Sequence, residues 1–109
     1  MSTVRFTLTG EGRVEIPGYG IADAEDRLEK EIRTVFPDAL IRLLQTRRTD
    51  PEPRIVEEFE IEYRVVVGVE VDSGTGDAEK MQRKAFAVAR EAVSGTRIEK
   101  IQWLKAATQ

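Results

Sequence analysis

The stretch that decides the fold is Phe59–Val71, FEIEYRVVVGVEV, in which polar and apolar residues alternate almost without a break. Successive side chains of a strand point to opposite faces, so the apolar positions share one face and most charged positions share the other. The apolar face carries Phe59, Ile61, Tyr63, Val65, Val67, Val69 and Val71. Burial of such side chains contributes roughly 1.5–3 kcal/mol each, which makes this face the predicted anchor of the core.

The length of this strand also predicts something about assembly. Its 13 residues would span about 43 Å at roughly 3.3 Å per residue, more than a compact domain of this size needs. Two outcomes are open. Gly68 marks a bulge or bend that wraps the strand around the core, or one end of the strand pairs with a second molecule. The bend is favoured over pairing between molecules.

The N-terminal segment predicts either a hairpin or one long strand. Thr3–Thr9 alternates in the same way, Gly10-Glu11-Gly12 is typical of a turn, and Val14 and Ile16 continue the alternation until Pro17-Gly18. Residues 3–16 therefore form a hairpin, or one strand with a glycine bulge, and the hairpin is preferred.

A helix is predicted next, with Asp23 as its N-cap and Pro37 just beyond its end. Its apolar positions recur at helical spacing: Ala24, Leu28, Ile32, Val35 and Phe36. The aliphatic segment Ala39–Arg48 predicts a largely buried strand, with a helix as the alternative, and Thr49–Pro53 predicts an exposed loop.

Asp72–Asp77 predicts a turn before a second helix that is capped by Asp77 or Thr75. The residues predicted to face the sheet are Ala78, Met81, Ala85, Val88 and Ala92, with Phe86, Ala89 and Val93 beside them. Arg97–Leu104 predicts a last strand and Lys105–Gln109 a frayed tail.

This order, β(β)αββαβ, predicts an α+β fold: a ferredoxin-like two-layer sandwich in which two helices cover one face of an antiparallel sheet. The whole chain, residues 1–109, is expected to form one domain. The segment Ile61–Val65 and the first four elements resemble the dodecins, small flavin-binding proteins. The chain has Leu40 and Ile41 where dodecins carry a tryptophan, and it continues into a second helix and strand, so we expect no cofactor.

Composition narrows the chemistry. The 109 residues include no cysteine and no histidine, which removes thiolate catalysis, cysteine-ligated metals and the commonest proton-transfer side chain. The net charge of -3, with interspersed signs, disfavours a general nucleic-acid binder. Apolar runs are too short to span a membrane, and residues 1–10 lack the pattern of a secretory signal, so the sequence predicts a soluble cytoplasmic protein.

The candidate sites each have a simpler structural interpretation. Glu58, Glu60 and Glu62 share a strand face, where solvated charge is favoured over a metal or acid–base role. Gly74-Thr75-Gly76 lacks a phosphate-loop pattern and is interpreted as a turn. The candidate anion or nucleic-acid patch is Arg42, Arg47, Arg48 and Arg54, and the candidate interface residues are Phe59, Tyr63 and Trp103.

We therefore expect a non-enzymatic binding or assembly module that acts through its sheet or strand edges, as a homo-oligomer or with a protein partner. One alternative is a small-molecule enzyme that uses carboxylates and arginines. The other is an RNA-binding domain that uses the Arg42–Arg54 patch. No residue is assigned a catalytic, cofactor-binding or metal-binding role.

Overall fold

The computed structural model describes residues 2–52, 54–72, 74 and 77–108. The chain forms β1 (Thr3–Gly18), α1 (Ile21–Val35), β2 (Leu40–Arg48), β3 (Glu57–Asp72), α2 (Ala78–Val93) and β4 (Gln102–Thr108). The predicted α+β class, with an antiparallel sheet and two helices, is confirmed.

The strands form one curled antiparallel sheet in the spatial order β2-β3-β1-β4. β1 and β3 have 16 residues each and pair along their whole length, from Thr3 opposite Asp72 to Gly18 opposite Glu57. Because this register has no shift, the hairpin predicted within residues 3–16 is wrong, and Gly68 carries no bulge in its pairing with β1. The register does not test the bend that is the other prediction for Gly68. The two long strands give the molecule an extent of 57 Å, against 22 and 19 Å in the other directions.

Gly10 and Gly12 lie within β1, where the chain does not turn. Glycine is required at these positions because an aromatic ring packs against each of them. A Cβ at Gly12 would lie 2.5 Å from the Tyr63 hydroxyl oxygen, and a Cβ at Gly10 would lie 2.8 Å from the Trp103 ring. A glycine inside a strand commonly marks such a close approach. The pattern interpreted as a turn therefore marks the space that Tyr63 and Trp103 occupy.

The apolar face of β3 forms the centre of the core, as predicted, and all seven of its apolar side chains are buried. Both helices cover this face, so no described helix lies on the opposite face of the sheet, which we call the helix-free face. The buried apolar residues that the other strands and the two helices contribute include Phe6, Leu8, Val14, Ile16, Ala24, Leu28, Ile32, Ala85, Ala89 and Val93.

The two helices cover different halves of the long sheet. α1 begins beside Gly18, where a Cβ would lie 2.8 Å from the Ala24 nitrogen, and ends where Phe36 meets the ring of Trp103 edge-on. In α2, Gln82 Nε2 donates to the carbonyl of Ala106, which lies opposite Leu8. α2 therefore lies over the half of the sheet that contains the C-terminal end of β3.

The start of each helix tests a predicted cap. α1 has Gly20 at its N-cap, so the prediction of Asp23 is wrong, and the Asp23 carboxylate accepts from the backbone N–H of Tyr19 instead. Asp77 caps α2 as predicted and accepts from the backbone N–H of Lys80 at 2.8 Å. Thr75, the alternative cap, lies outside the described residues, as does Gly76 of the predicted turn.

The buried face of α2 differs from the predicted one. Ala85, Ala89 and Val93 are buried, whereas Val88 and Ala92 are exposed, as is Ala78. The alanines allow two similar apolar stripes on this helix, and the sheet covers only one of them. An apolar flank is therefore left uncovered on α2.

Two strands are present as predicted, but the burial of one and the bounds of the other differ from the prediction. Ala39–Arg48 is not a largely buried strand: β2 is an edge strand without a buried residue, and Leu40 pairs with Val66 on the helix-free face. The last strand starts later than Arg97 and extends through Thr108, so the described part of the predicted frayed tail is ordered as β4. Turns occupy residues 94–100 instead, where Gly95 has a φ of 77° that favours glycine.

Candidate interaction surface

The helix-free face of the sheet carries a ladder of ion pairs across its three neighbouring strands. Arg64 Nε of β3 donates to Glu11 of β1 at 2.9 Å. Arg47 of β2 pairs with Glu60 of β3 at 2.8 Å, and Arg13 of β1 pairs with Glu62 and, at 3.8 Å, with Glu60. Glu60 and Glu62 are among the predicted solvated charges, and each has an arginine partner.

A shallow depression lies beside the Arg13–Glu62 pair. It is lined by Glu11, Gly12, Arg13, Leu44, Glu62, Tyr63, Lys100 and Gln102. Three of its four charged groups already have ion-pair partners, because Arg13 and Glu62 pair with each other and Glu11 pairs with Arg64. A charged ligand would have to displace these ion pairs. Among the described residues, no group of three acidic side chains lies close enough together to hold a metal ion.

The predicted arginine patch does not form one free cationic surface. Arg47 pairs with Glu60, Arg48 with Glu57 at 3.0 Å, and Arg54 with Asp50 at 2.9 Å. Arg42 lies opposite Arg64 on the exposed face. Cross-strand register sets these pairings, and the sequence alone does not give that register.

The three predicted interface residues lie on the core side of the sheet. Phe59 and Tyr63 are only 2% and 1% exposed, so neither presents a surface to a partner in this structure. Trp103 is half-buried, and its indole Nε1 is buried without a hydrogen-bond partner among the described residues. Burial, followed by the negative charge of Glu31, raises the pKa of Tyr63 well above its ordinary range.

The open edge of β3, Val67–Asp72, is the feature that sequence reasoning did not locate. β2 pairs with β3 only as far as Leu40 opposite Val66, so no described strand lies beside Val67–Asp72 on that side. Strand edges present unpaired backbone N–H and C=O groups that bind another strand. The available signal was length, because the predicted β2 is shorter than the predicted β3.

The corresponding free edge of β1 lies beyond Glu11, where its pairing with β4 stops, and this edge is covered. Arg97 Nη1 donates to the carbonyl of Glu15 at 3.2 Å, and Arg97 also pairs with Glu31 of α1. The turn region therefore folds across this part of β1. The open edge of β3 has no corresponding backbone hydrogen bond among the described residues.

Comparison with known proteins gives no relative: no protein-family model, curated protein or solved structure matches the chain. No described helix is long and apolar enough to cross a membrane. Inferences about function therefore depend on the geometry alone.

Proposed function

We propose that the protein is a cytoplasmic binding or assembly module that acts through the edges and helix-free face of its sheet, and that it forms homo-oligomers. The observation that carries this proposal is the open edge of β3. Six consecutive residues of a central strand, Val67–Asp72, have a described strand on one side only. An added strand would satisfy their free backbone groups, which is the general basis of recognition by strand addition.

The charges on the helix-free face support assembly over the two alternatives. An enzyme of carboxylates and arginines needs groups that are free to act on a substrate, and an RNA site needs cations that are free to meet phosphates. Here Arg13, Arg47 and Arg64 are engaged with carboxylates on neighbouring strands. A surface of paired charges is suited to a protein contact, because it offers both signs to a complementary surface.

We also propose that the fold is a ferredoxin-like sandwich. The spatial order β2-β3-β1-β4 supports this assignment, because each helix connects two strands that have one other strand between them. That arrangement is the split βαβ unit. The end-to-end placement of the helices along unusually long central strands is the departure from the usual compact form.

Sedimentation equilibrium over a wide range of protein concentrations tests the proposed function. We expect a concentration-dependent dimer or larger assembly that persists at high salt, since strand addition depends on backbone hydrogen bonds and apolar burial more than on charge. A strict monomer at the highest concentration would contradict the proposal. Association that disappears with salt would indicate charge-driven contact and would contradict it as well.

A further inference from the structure

The open edge of β3 is a notch of defined length. It begins beyond Val66, the partner of the first β2 residue, Leu40, and runs to Asp72, the last residue of β3. Six residues correspond to about 20 Å of strand. Leu40 stands at the closed end of the notch with 70% of its surface exposed, so a strand that filled the notch would also cover an apolar side chain.

The notch lacks the register shifts and basic side chains that the outer edges of the sheet carry, although it contains Glu70 and Asp72. Proteins blunt exposed strand edges with charges and bulges. β2 has a register shift between Leu43 and Gln45 and carries several arginines. The pairing of β4 with β1 shifts register between Thr9 and Gly10, and β4 carries Lys105. Along Val67–Asp72 the register with β1 is unbroken, and Val67, Val69 and Val71 alternate with Gly68, Glu70 and Asp72, so the two acidic side chains lie on the helix-free face only.

α2 turns an uncovered apolar flank toward this notch. Gln82 donates to Ala106, which fixes the Gln82 side of the helix toward β4. At 100° per residue, Val88 lies about 120° around the helix from Gln82, with the buried Ala85 between them. Val88 is 42% exposed and Ala92 is exposed. In this half of the sheet, β4 and the notch lie at opposite edges, so the flank that points away from β4 faces the notch.

The geometry points to a second copy of this chain as the occupant of the notch, with the two β3 edges paired antiparallel about a two-fold axis at Val69. This inference rests on the proposed function and specifies its partner. Pairing Val69 with Val69 of the partner subunit keeps helix-side residues opposite helix-side residues, so both subunits place their helices on the same face. The two sheets then form one continuous sheet.

Charge complementarity supports this register. Gly68 would lie opposite Glu70 of the partner subunit on the helix-free face. The guanidinium of Arg5 lies over Gly68, with Nη2 2.7 Å from the position of a Cβ there. Each Arg5 would therefore lie close to Glu70 of the partner subunit. The two-fold axis repeats the contact, so each interface would contain two Arg5–Glu70 pairs between subunits.

The apolar flank of α2 supports the same arrangement. A two-fold axis perpendicular to the sheet brings the two α2 helices together on one face, antiparallel and flank to flank. Val88 and Ala92 would then be covered by the helix of the partner subunit. One arrangement therefore accounts for the open edge, the position of Arg5 and the uncovered flank of α2.

A charge-swap mixing experiment tests this register. Arg5→Glu and Glu70→Lys each place like charges across both contacts of a homodimer, so each variant alone should dimerise at least about tenfold more weakly. A mixed dimer has opposite charges at both contacts, because the two introduced side chains meet at one and the native Arg5 and Glu70 meet at the other. Sedimentation of the mixture should recover dimer at close to wild-type strength. Each chain still carries like charges at its own positions 5 and 70, so changes within one subunit do not explain the recovery.

The matched controls separate this register from other modes of assembly. Glu58→Lys changes a charge on the same face away from the notch and should leave the dimer unchanged. Val88→Lys should weaken the dimer at least about tenfold, whereas Ala87→Lys, on the outward side of the same helix, should not. If the Arg5, Glu70 and Val88 variants dimerise as strongly as the wild type, this interface is wrong and the proposed assembly function stands. A monomeric wild type would overturn both, and loss of dimer in the single variants with recovery in the mixture would support both.

Discussion

Gly12 lies directly opposite Tyr63 in the β1–β3 pairing, and a Cβ at Gly12 would lie 2.5 Å from both Cζ and the hydroxyl oxygen of that tyrosine. The aromatic ring therefore occupies the space that any other residue at position 12 would need. Because both groups belong to the two central strands, this contact couples the central strand pairing to the packing of the core. It also explains how a long strand tolerates a glycine.

Gly12→Ala should destabilise the protein by about 1–3 kcal/mol, the usual range for overpacking a core. The hydroxyl is not the only group in the way, so Tyr63→Phe should not rescue it. The measurement is the free energy of unfolding in urea. Gly74→Ala, where a new Cβ would have no neighbour within 4 Å, is the control and should change stability little. Equal effects at the two positions would contradict the packing argument.

Tyr63 should remain un-ionised for as long as the protein stays folded. Its pKa is raised by burial and then by the charge of Glu31, whereas in the unfolded chain it returns to about 10. Stability should therefore be independent of this group below about pH 10 and fall above it, by up to about 1.4 kcal/mol per pH unit.

A Tyr19→Phe variant leaves Tyr63 as the single tyrosine, since the sequence contains two. Phenolate absorbance and circular dichroism followed together through alkaline pH should change in one transition. Phenolate that formed near pH 10 in a protein with native circular dichroism would show that Tyr63 is accessible, contrary to its position in the structure.

Asp77→Ala should cost about 1 kcal/mol in the free energy of unfolding, because its carboxylate accepts the backbone N–H of Lys80 in the first turn of α2. Asp77→Asn keeps a capping oxygen and should retain most of the stability. Thermal unfolding of the three proteins gives the comparison. An alanine variant as stable as the wild type would mean that this cap contributes nothing.

Arg13→Gln should change the free energy of unfolding by less than about 1 kcal/mol, although Arg13 touches both Glu60 and Glu62. The arginine side chain is 61% exposed, and solvent-exposed ion pairs contribute little. Urea unfolding at low and high salt tests this directly. A loss of several kcal/mol would mean that the ladder on the helix-free face stabilises the sheet.

The element order could be predicted from sequence because it depends on local patterns. The apolar stripe of Phe59–Val71 has a strand period, α1 has a helical one with Pro37 beyond its end, and Asp77 is a typical cap. The errors arose where one local pattern has two physical causes. Glycine in β1 serves a close approach to a ring as readily as a turn, and the alanines of α2 offer two apolar faces.

The surfaces could not be predicted because they depend on which strands become neighbours. Arg47 and Arg48 resemble a free cationic patch until the register places Glu60 and Glu57 beside them. Leu40 is predicted to lie in a largely buried strand, but the register places it opposite Val66 on the helix-free face. An open edge of β3 could have been predicted from strand lengths, because a strand of 9 residues cannot cover a neighbour of 16.

Hydrogen exchange of the backbone amides in Val67–Val71, measured at low and at high protein concentration, tests assembly through the open edge of β3 most directly. Alternate amides of this segment face the edge and lack a described partner in the monomer, so they should exchange rapidly at low concentration and become protected as the dimer forms. Amides of the fully paired segment Ile61–Val65 should stay protected at both concentrations. Exchange at Val67–Val71 that did not depend on concentration, in samples shown to be oligomeric, would contradict assembly through the open edge of β3.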